Sequence, residues 1–234
     1  MRHENGLTEV PEAELFAGLE PAVTKATVAA ATPIRLRVGA KLLDQGDPSS
    51  HLHLVTKGRV KMSHVTEHGE QVLLRYMEPG DLIGCAAVFR GIPYPATATA
   101  VAEAEVLSWA AADILRLIEQ HPRLGANALK EVGGRTEEFM TRFRELATEP
   151  VAKRLARALL RLAPAGEAEL ALTRQDLAEL TGTTLYTVSR IISGWEQEGL
   201  VRSGRRRIAI TDPARLRRRI KEAMRMSEPT PMVR

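Results

Sequence analysis

Leu185, Tyr186, Ser189 and Arg190 stand at helical spacing near the start of one amphipathic segment, and they would face outward from it. Arg190 carries the most specific chemistry. A guanidinium can donate two parallel hydrogen bonds to guanine O6 and N7, worth about 1–3 kcal/mol of discrimination between bases. Leu185 offers only apolar contact, for instance to a thymine methyl, and Tyr186 carries no anionic acceptor at neutral pH.

These residues need a rigid carrier, and Leu172–Leu200 supplies the pattern for one. Thr173 is a helix N-cap with Asp176 three residues on, close to the positive helix end. Leu177 and Leu180 mark the buried face of a first helix. Thr181, Gly182 and Thr183 form the turn, where glycine can take the left-handed conformation of a sharp helix exit. Thr183 is expected to cap a second helix that buries Val188, Ile191, Ile192 and Trp195 and stops at Gly199. Two short strands, Leu200–Val201 and Ile208–Ile210, then flank the basic run Ser203–Arg207. Helix, turn, helix and basic hairpin together predict a winged helix-turn-helix on double-stranded DNA. Thr173, Arg174, Gln175 and Thr184 are expected to touch phosphates, as are Arg205 and Arg206 at the hairpin tip. A winged helix that binds protein is the competing reading, and it predicts no salt-dependent duplex binding.

Charge supports DNA. Residues 151–234 hold 17 Lys/Arg against 9 Asp/Glu, whereas residues 1–150 hold 16 against 20. A basic half releases counterions on binding phosphate. The one cysteine, Cys85, excludes an internal disulfide and a four-cysteine iron–sulfur cluster within one chain. No apolar run approaches the ~18 residues of a membrane span, and the first residues do not open a signal peptide, so no membrane partner and a cytoplasmic location are expected. No nucleophile–base pair, phosphate loop or metal-ligand cluster points to an enzyme.

The other half is patterned for β structure. Leu15, Phe16 and Leu19 suit a short helix broken near Pro21. Ile34, Leu36 and Val38 then alternate with polar residues. Strand-like runs at His51–Thr56, Arg59–Val65 and Gln71–Met77, and a further pair at Thr97–Ala102 and Glu105–Trp109, lie between Gly- and Pro-rich turns. Ala112–Glu119 returns to helical periodicity, and a longer helix covers about 123–147. Leu129, Val132, Thr136, Phe139, Phe143 and Leu146 recur on it at alternating three- and four-residue spacing, the seam of a parallel homodimer. Gly133 and Gly134 weaken that helix and mark a closely approachable point that suits a ligand, a conformational adjustment or a backbone packing contact. Another helix starts at Thr148–Pro150, Pro164–Glu169 is a loop, and Asp212 caps a final arginine-rich helix. The expected fold class is α+β: an N-terminal antiparallel β-roll with its helix (1–122), a dimerisation helix (123–148), a winged helix-turn-helix (149–226) and a disordered tail (227–234).

The combination resembles the cyclic-AMP receptor protein/fumarate-nitrate regulator (CRP/FNR) superfamily of bacterial transcription factors. The likeness runs from about Leu15 to Ile210 and rests on Leu15–Leu19, Gly46–Asp47, Lys57–Val60, Pro79–Gly84 and Leu172–Arg190 taken together. It implies a homodimer that bends a pseudo-palindromic operator and contacts RNA polymerase. It also implies an effector pocket at Ile83, Gly84, Cys85, Tyr94, Pro95, Ala96, Phe139 and Met140. Cyclic-nucleotide binders of the family place Glu where this chain has Cys85, and Arg-Ser or Arg-Thr where it has Pro95 and Ala96. The polar residues that meet the base fall at Phe139 and Met140. A cyclic phosphate needs a cation or a cluster of donors, so cyclic AMP is not expected. Such an apolar pocket suits haem, a lipid-like metabolite or nothing. The run Tyr94–Ala100 and the stretch Thr183–Arg190 look most like the nitric-oxide-responsive branch. Haem would need an axial ligand from His3, His51, His53, His64, His68, His121, Cys85 or Tyr94. Ala86 stands where carbon-monoxide sensors place theirs. His51 and His53 share one side of a strand, a spacing open to a metal, although exposed strand histidines explain it as well. Close relatives also carry a Glu at Tyr186, so the operator is expected to keep a guanine for Arg190 and to differ beside it.

Overall fold

The computed structural model describes residues 11–163 and 169–225; the ten N-terminal residues and the 227–234 tail expected to be loose lie outside them. The chain forms two compact units, Met1–Glu138 and Phe139–Arg234.

The first unit opens with a 3-10 turn at Glu14–Phe16 and helix α1 at Pro21–Ala29. Pro21 therefore begins a helix instead of breaking one, because proline has no N–H to lose at a first helical position. Strands β1 (Thr32–Leu36), β2 (Lys41–Leu43), β3 (His51–Lys57), β4 (Val60–Val65), β5 (Gln71–Met77) and β6 (Leu82–Ile83) follow. Helix α2 (Cys85–Arg90), strands β7 (Thr97–Ala100) and β8 (Ala104–Ala110), helix α3 (Ala111–Gln120) and the long α4 (Pro122–Thr148) complete the series. Two four-stranded antiparallel sheets result, ordered β1-β8-β3-β6 and β2-β7-β4-β5. The strands β7 and β8 do not pair with each other, as their closeness in sequence suggested. Each enters a different sheet, β7 beside β2 and β4, β8 beside β1 and β3. Val38 lies beyond the end of β1 and is 62% exposed.

Strand β3 organises this unit. Val55 faces the second sheet within a cluster that holds Leu43, Val60, Met77, Ile83, Ala98, Ala100 and Val106. Leu52 and Leu54 face the other way, onto Leu15, Leu107, Trp109, Ile114, Leu124 and Ala128. Five consecutive residues of β3, Leu52–Thr56, are buried, as expected for a strand covered on both faces. Trp109 donates its indole N–H to Thr27 O at 2.7 Å, which pins α1 to the outer face. A Cβ on Gly133 or Gly134 would meet nothing within 4 Å, so the close approach expected there is not made within this chain.

His53 departs most from the reading as an exposed strand residue. It is buried, stacked on His51 with centroids 6.0 Å apart. Burial, and then the charge of His51, lowers its pKa to about 4. The unfolded chain takes up this proton first, near the ordinary histidine pKa of about 6.5. Stability held at neutral pH is therefore lost as pH falls through roughly 6.5 to 4, by up to about 3 kcal/mol. His53→Leu should flatten that dependence. Urea midpoints at neutral pH and about pH 4.5 check it; equal acid sensitivity in both proteins would contradict it.

Candidate nucleic-acid interface

The second unit includes α5 (Val151–Leu162), β9 (Glu169–Leu170), α6 (Arg174–Thr181), α7 (Leu185–Gln197), β10 (Val201–Gly204), β11 (Arg207–Ile210) and α8 (Pro213–Arg225). Glu169, expected in a loop, begins a strand that pairs with β11 and widens the wing to three strands. Leu155, Leu159, Leu177, Val188, Ile192, Trp195, Val201, Ile208 and Leu216 form one core, with Ile191 only partly buried against it.

Helix α6 starts in a capping box. Thr173 Oγ1 accepts from Asp176 N at 3.0 Å, and Asp176 Oδ2 accepts from Thr173 N at 2.8 Å. Gly182 ends the helix at φ +60°, and a Cβ there would come within 3.0 Å of the Leu146 side chain. The second cap is Thr184, not Thr183: its Oγ1 accepts from Thr187 N at 3.2 Å. The turn is one residue longer than the spacing suggested. Arg154 holds it from outside. Its Nε and Nη2 donate to Thr181 O at 3.1 and 2.9 Å, and Nη1 donates to Glu149 O at 2.9 Å. Arg142 adds a bond to Leu180 O at 3.2 Å. Carbonyls at the end of α6 that lack helical partners are thereby satisfied.

On α7, Leu185 and Tyr186 are exposed, Ser189 is half-buried, and Arg190 is exposed without an ion pair or hydrogen bond to any described residue. Arg205 and Arg206 are exposed at the wing tip, Arg206 with φ +60°, a conformation rarely taken by a long side chain. Thr173 and Thr184 serve as caps, and Gln175 Nε2 donates to Glu179 at 3.2 Å. Arg174 is already engaged: its Nη2 lies 3.0 Å from Glu196 Oε2 and 2.8 Å from Ser203 Oγ. Glu196 Oε1 also accepts from Ser203 N at 2.8 Å. The hydrogen bond from the Ser203 hydroxyl, reinforced by Arg174, holds the Glu196 carboxyl below the usual carboxylate range. This triad ties the start of α6, the end of α7 and the wing strand together. Sequence inspection overlooked it, as it overlooked Arg154, because neither contact has a local spacing signature.

A cyclic nucleotide-binding domain model matches residues 33–121, and a Crp-like helix-turn-helix model matches residues 153–219. The cyclic AMP receptor protein of Thermus thermophilus is 31% identical over 179 residues, covering 76% of this chain and 83% of its own. The chain belongs to the CRP/FNR family of transcription regulators. The CRP-like cAMP-activated global transcriptional regulator of Mycobacterium tuberculosis is 26% identical over 88% of this chain and 96% of its own. In fold, the chain matches the c-di-GMP responsive regulator CLP of Xanthomonas campestris with a TM-score of 0.74 at 18% identity, over 82% of this chain and 100% of that one. This CRP/FNR protein is thus a DNA-binding regulator, with Arg190 on the exposed face of its second helix-turn-helix helix.

The effector-side positions lie on several elements. Ile83 and Tyr94 lie in the inter-sheet cluster, Ala96 is buried and Pro95 is exposed. Gly84, at φ +87°, precedes α2; a Cβ on it would stand 3.0 Å from both His51 O and the Tyr94 ring. Cys85 packs in the outer cluster, its Sγ 3.9 Å from Ala128 O, and burial pushes its thiol up to about 11, the opposite of a reactive thiolate. Phe139 and Met140 are exposed residues of the second unit. The Tyr94 hydroxyl donates to His51 O at 2.6 Å and accepts from His51 N at 2.9 Å, which leaves it poorly placed to ligate iron. Among the candidate histidines, His3 lies outside the described residues, His64 Nδ1 lies 2.8 Å from Pro95 O, and His51 and His68 are exposed. His121 is half-buried. Among the described residues no three potential ligands come together to hold a metal.

Glu196→Gln should loosen the wing. We expect about 1 kcal/mol of lost stability in this half-exposed network and severalfold weaker operator binding, with base preference unchanged. Urea unfolding and binding to operator variants check both, and an altered base preference would contradict a purely positioning role.

Proposed function

We propose that this CRP/FNR regulator acts as a homodimer that places one Arg190 per protomer on a guanine of a pseudo-palindromic operator, without using cyclic AMP. The exposed, unpartnered Arg190 guanidinium on the first turns of α7 carries the reading. A base-reading arginine must be held by its helix and left unpaired by its neighbours, and both conditions hold here. Leu185 and Tyr186 beside it contribute apolar contact. Thr173, Gln175, Thr184, Arg205 and Arg206 border the same elements and suit phosphates. Arg174 serves first as the anchor of the wing.

Dimerisation is supported by the seam on α4. Leu129, Phe139, Phe143 and Leu146 are all at least half exposed in the single chain, and Thr136 is exposed beside them. Val132 is partly buried against the outer cluster. Large apolar side chains at heptad spacing are costly to leave in water. A second copy covers them and supplies the two-fold symmetry a palindrome requires. RNA polymerase is the further partner that this mode of action implies.

Relatives named as cyclic-AMP regulated share the fold, but the nucleotide chemistry is missing here. Cys85 turns into an apolar cluster, and neither the Pro95 nor the Ala96 side chain can donate to a phosphate. Selection from a randomised duplex library should enrich a two-fold symmetric site with half-sites about one helical turn apart. Arg190→Ala should lose about 1–3 kcal/mol of discrimination at one symmetric base pair and little elsewhere. Added cyclic AMP should leave affinity unchanged. Unaltered preference in the Arg190 variant would refute the base assignment. A strong dependence on cyclic AMP would refute the effector reading, and loss of all binding at low salt would favour a protein partner for the winged helix.

A further inference from the structure

Two buried polar side chains stand next to each other on the inner face of the β-roll with nothing to bond. His53 on β3 is in register with Ser108 on β8 and with Ile83 on β6. Two residues along the same ladder, Val55 pairs with Val106, and both belong to the inter-sheet cluster with Ile83. His53 and Ser108 therefore look onto the second sheet. Each is only 4% exposed. Neither side chain makes a hydrogen bond with any described residue, and His53 Nδ1 is wholly shielded from solvent. Thr27, Thr56, Asn127 and Thr181, also buried, each donate to a backbone carbonyl, whereas the Arg135 Nε, like His53 Nδ1, is shielded without a partner among the described residues. Leaving a buried donor or acceptor unpaired is costly, so the shielded His53 Nδ1, with the unbonded Ser108 hydroxyl within cross-strand reach, points to a missing partner.

We propose that His53 and Ser108 form the polar end of a small-molecule site inside the β-roll, and that its ligand is uncharged and apolar apart from one hydroxyl or amide group. This rests on the reading above that the β-roll does not take a cyclic nucleotide. A neutral imidazole offers one donor and one acceptor, and a serine hydroxyl offers both. That combination matches a group that donates and accepts at once. Burial keeps His53 uncharged at neutral pH, so it does not provide the cation that a carboxylate or phosphate would need. The apolar remainder of the ligand would meet Val55, Val106 and Ile83. His51, exposed, stacks on the His53 ring with centroids 6.0 Å apart and lies at the open end of the strand.

The test follows the His53 ring nitrogens by NMR in the full chain, labelled with 15N-histidine, during titration with propan-2-ol, acetamide and phenol. Toluene serves as the control without a hydrogen-bonding group. We expect at least one of the three to shift the His53 signals saturably while toluene does not. His53→Leu, which replaces the ring with an apolar side chain, and Ser108→Ala should each weaken binding of that probe, detected by its own resonances, about tenfold, the worth of one hydrogen bond. If none of the three moves the ring signals, or an ordered water bonded to both groups persists in crystals grown with each probe, the site is a solvated structural pair and the proposal fails. Equal response to toluene would also overturn it. This readout involves no DNA, so failure of the duplex selection would remove the operator reading and leave this result standing, and the reverse holds too.

Discussion

The turn between α6 and α7 has to leave a helix sharply and still satisfy its last carbonyls, and the Arg154 guanidinium makes that possible. It holds Thr181 O with two nitrogens and Glu149 O with a third. Gly182 supplies the left-handed backbone and leaves room for the Leu146 side chain. With the turn held, the direction of α7 follows from its buried face: Val188, Ile192 and Trp195 point into the core. Arg190 must then point out. The exposed face of α7 is thus a consequence of how the opposite face is packed.

The wing depends on the same rigidity. Glu196 lies near the end of α7, yet it accepts from Ser203 on β10 and from Arg174 at the start of α6. Three elements separated in the chain meet at one carboxylate. A charge-assisted contact of this kind is stronger than a neutral one and fixes geometry. It also gives Arg174 a role that differs from a free phosphate contact. A side chain already bonded to two protein groups must exchange them, or share them, before it can serve DNA.

The β-roll follows a different constraint. Its strands are short, and β3 is buried on both faces, so nearly every inward residue is apolar. Tyr94 closes one end by bonding both backbone groups of His51. Against that background, His53 and Ser108 stand out because their neighbours offer no partner. Cys85, which the family resemblance assigned to the pocket, packs with Leu124 and Ala128 of α4, because the first turn of α2 lies against the outer cluster.

Local signals were sufficient for much of this architecture. The capping pair Thr173 and Asp176, the glycine at 182, the strand-like run Gln71–Met77 and the heptad spacing on α4 are short-range patterns, and each produced the element it specified. Arg190 was legible for the same reason, since helical period alone separates the exposed face from the buried one. Short-range patterns could not show that β7 and β8 enter different sheets, because pairing is decided by which apolar faces meet across the roll. They could not find β6 or β9, which are two residues long and exist only through their partners. Nor could they reveal the burial of His53, the Glu196 triad or the Arg154 clamp. Residue types and spacing determined the elements, the winged helix-turn-helix and its outward arginine. Only the tertiary structure decided which polar groups find partners and which are buried without one, because burial and hydrogen bonding depend on residues far apart in the chain.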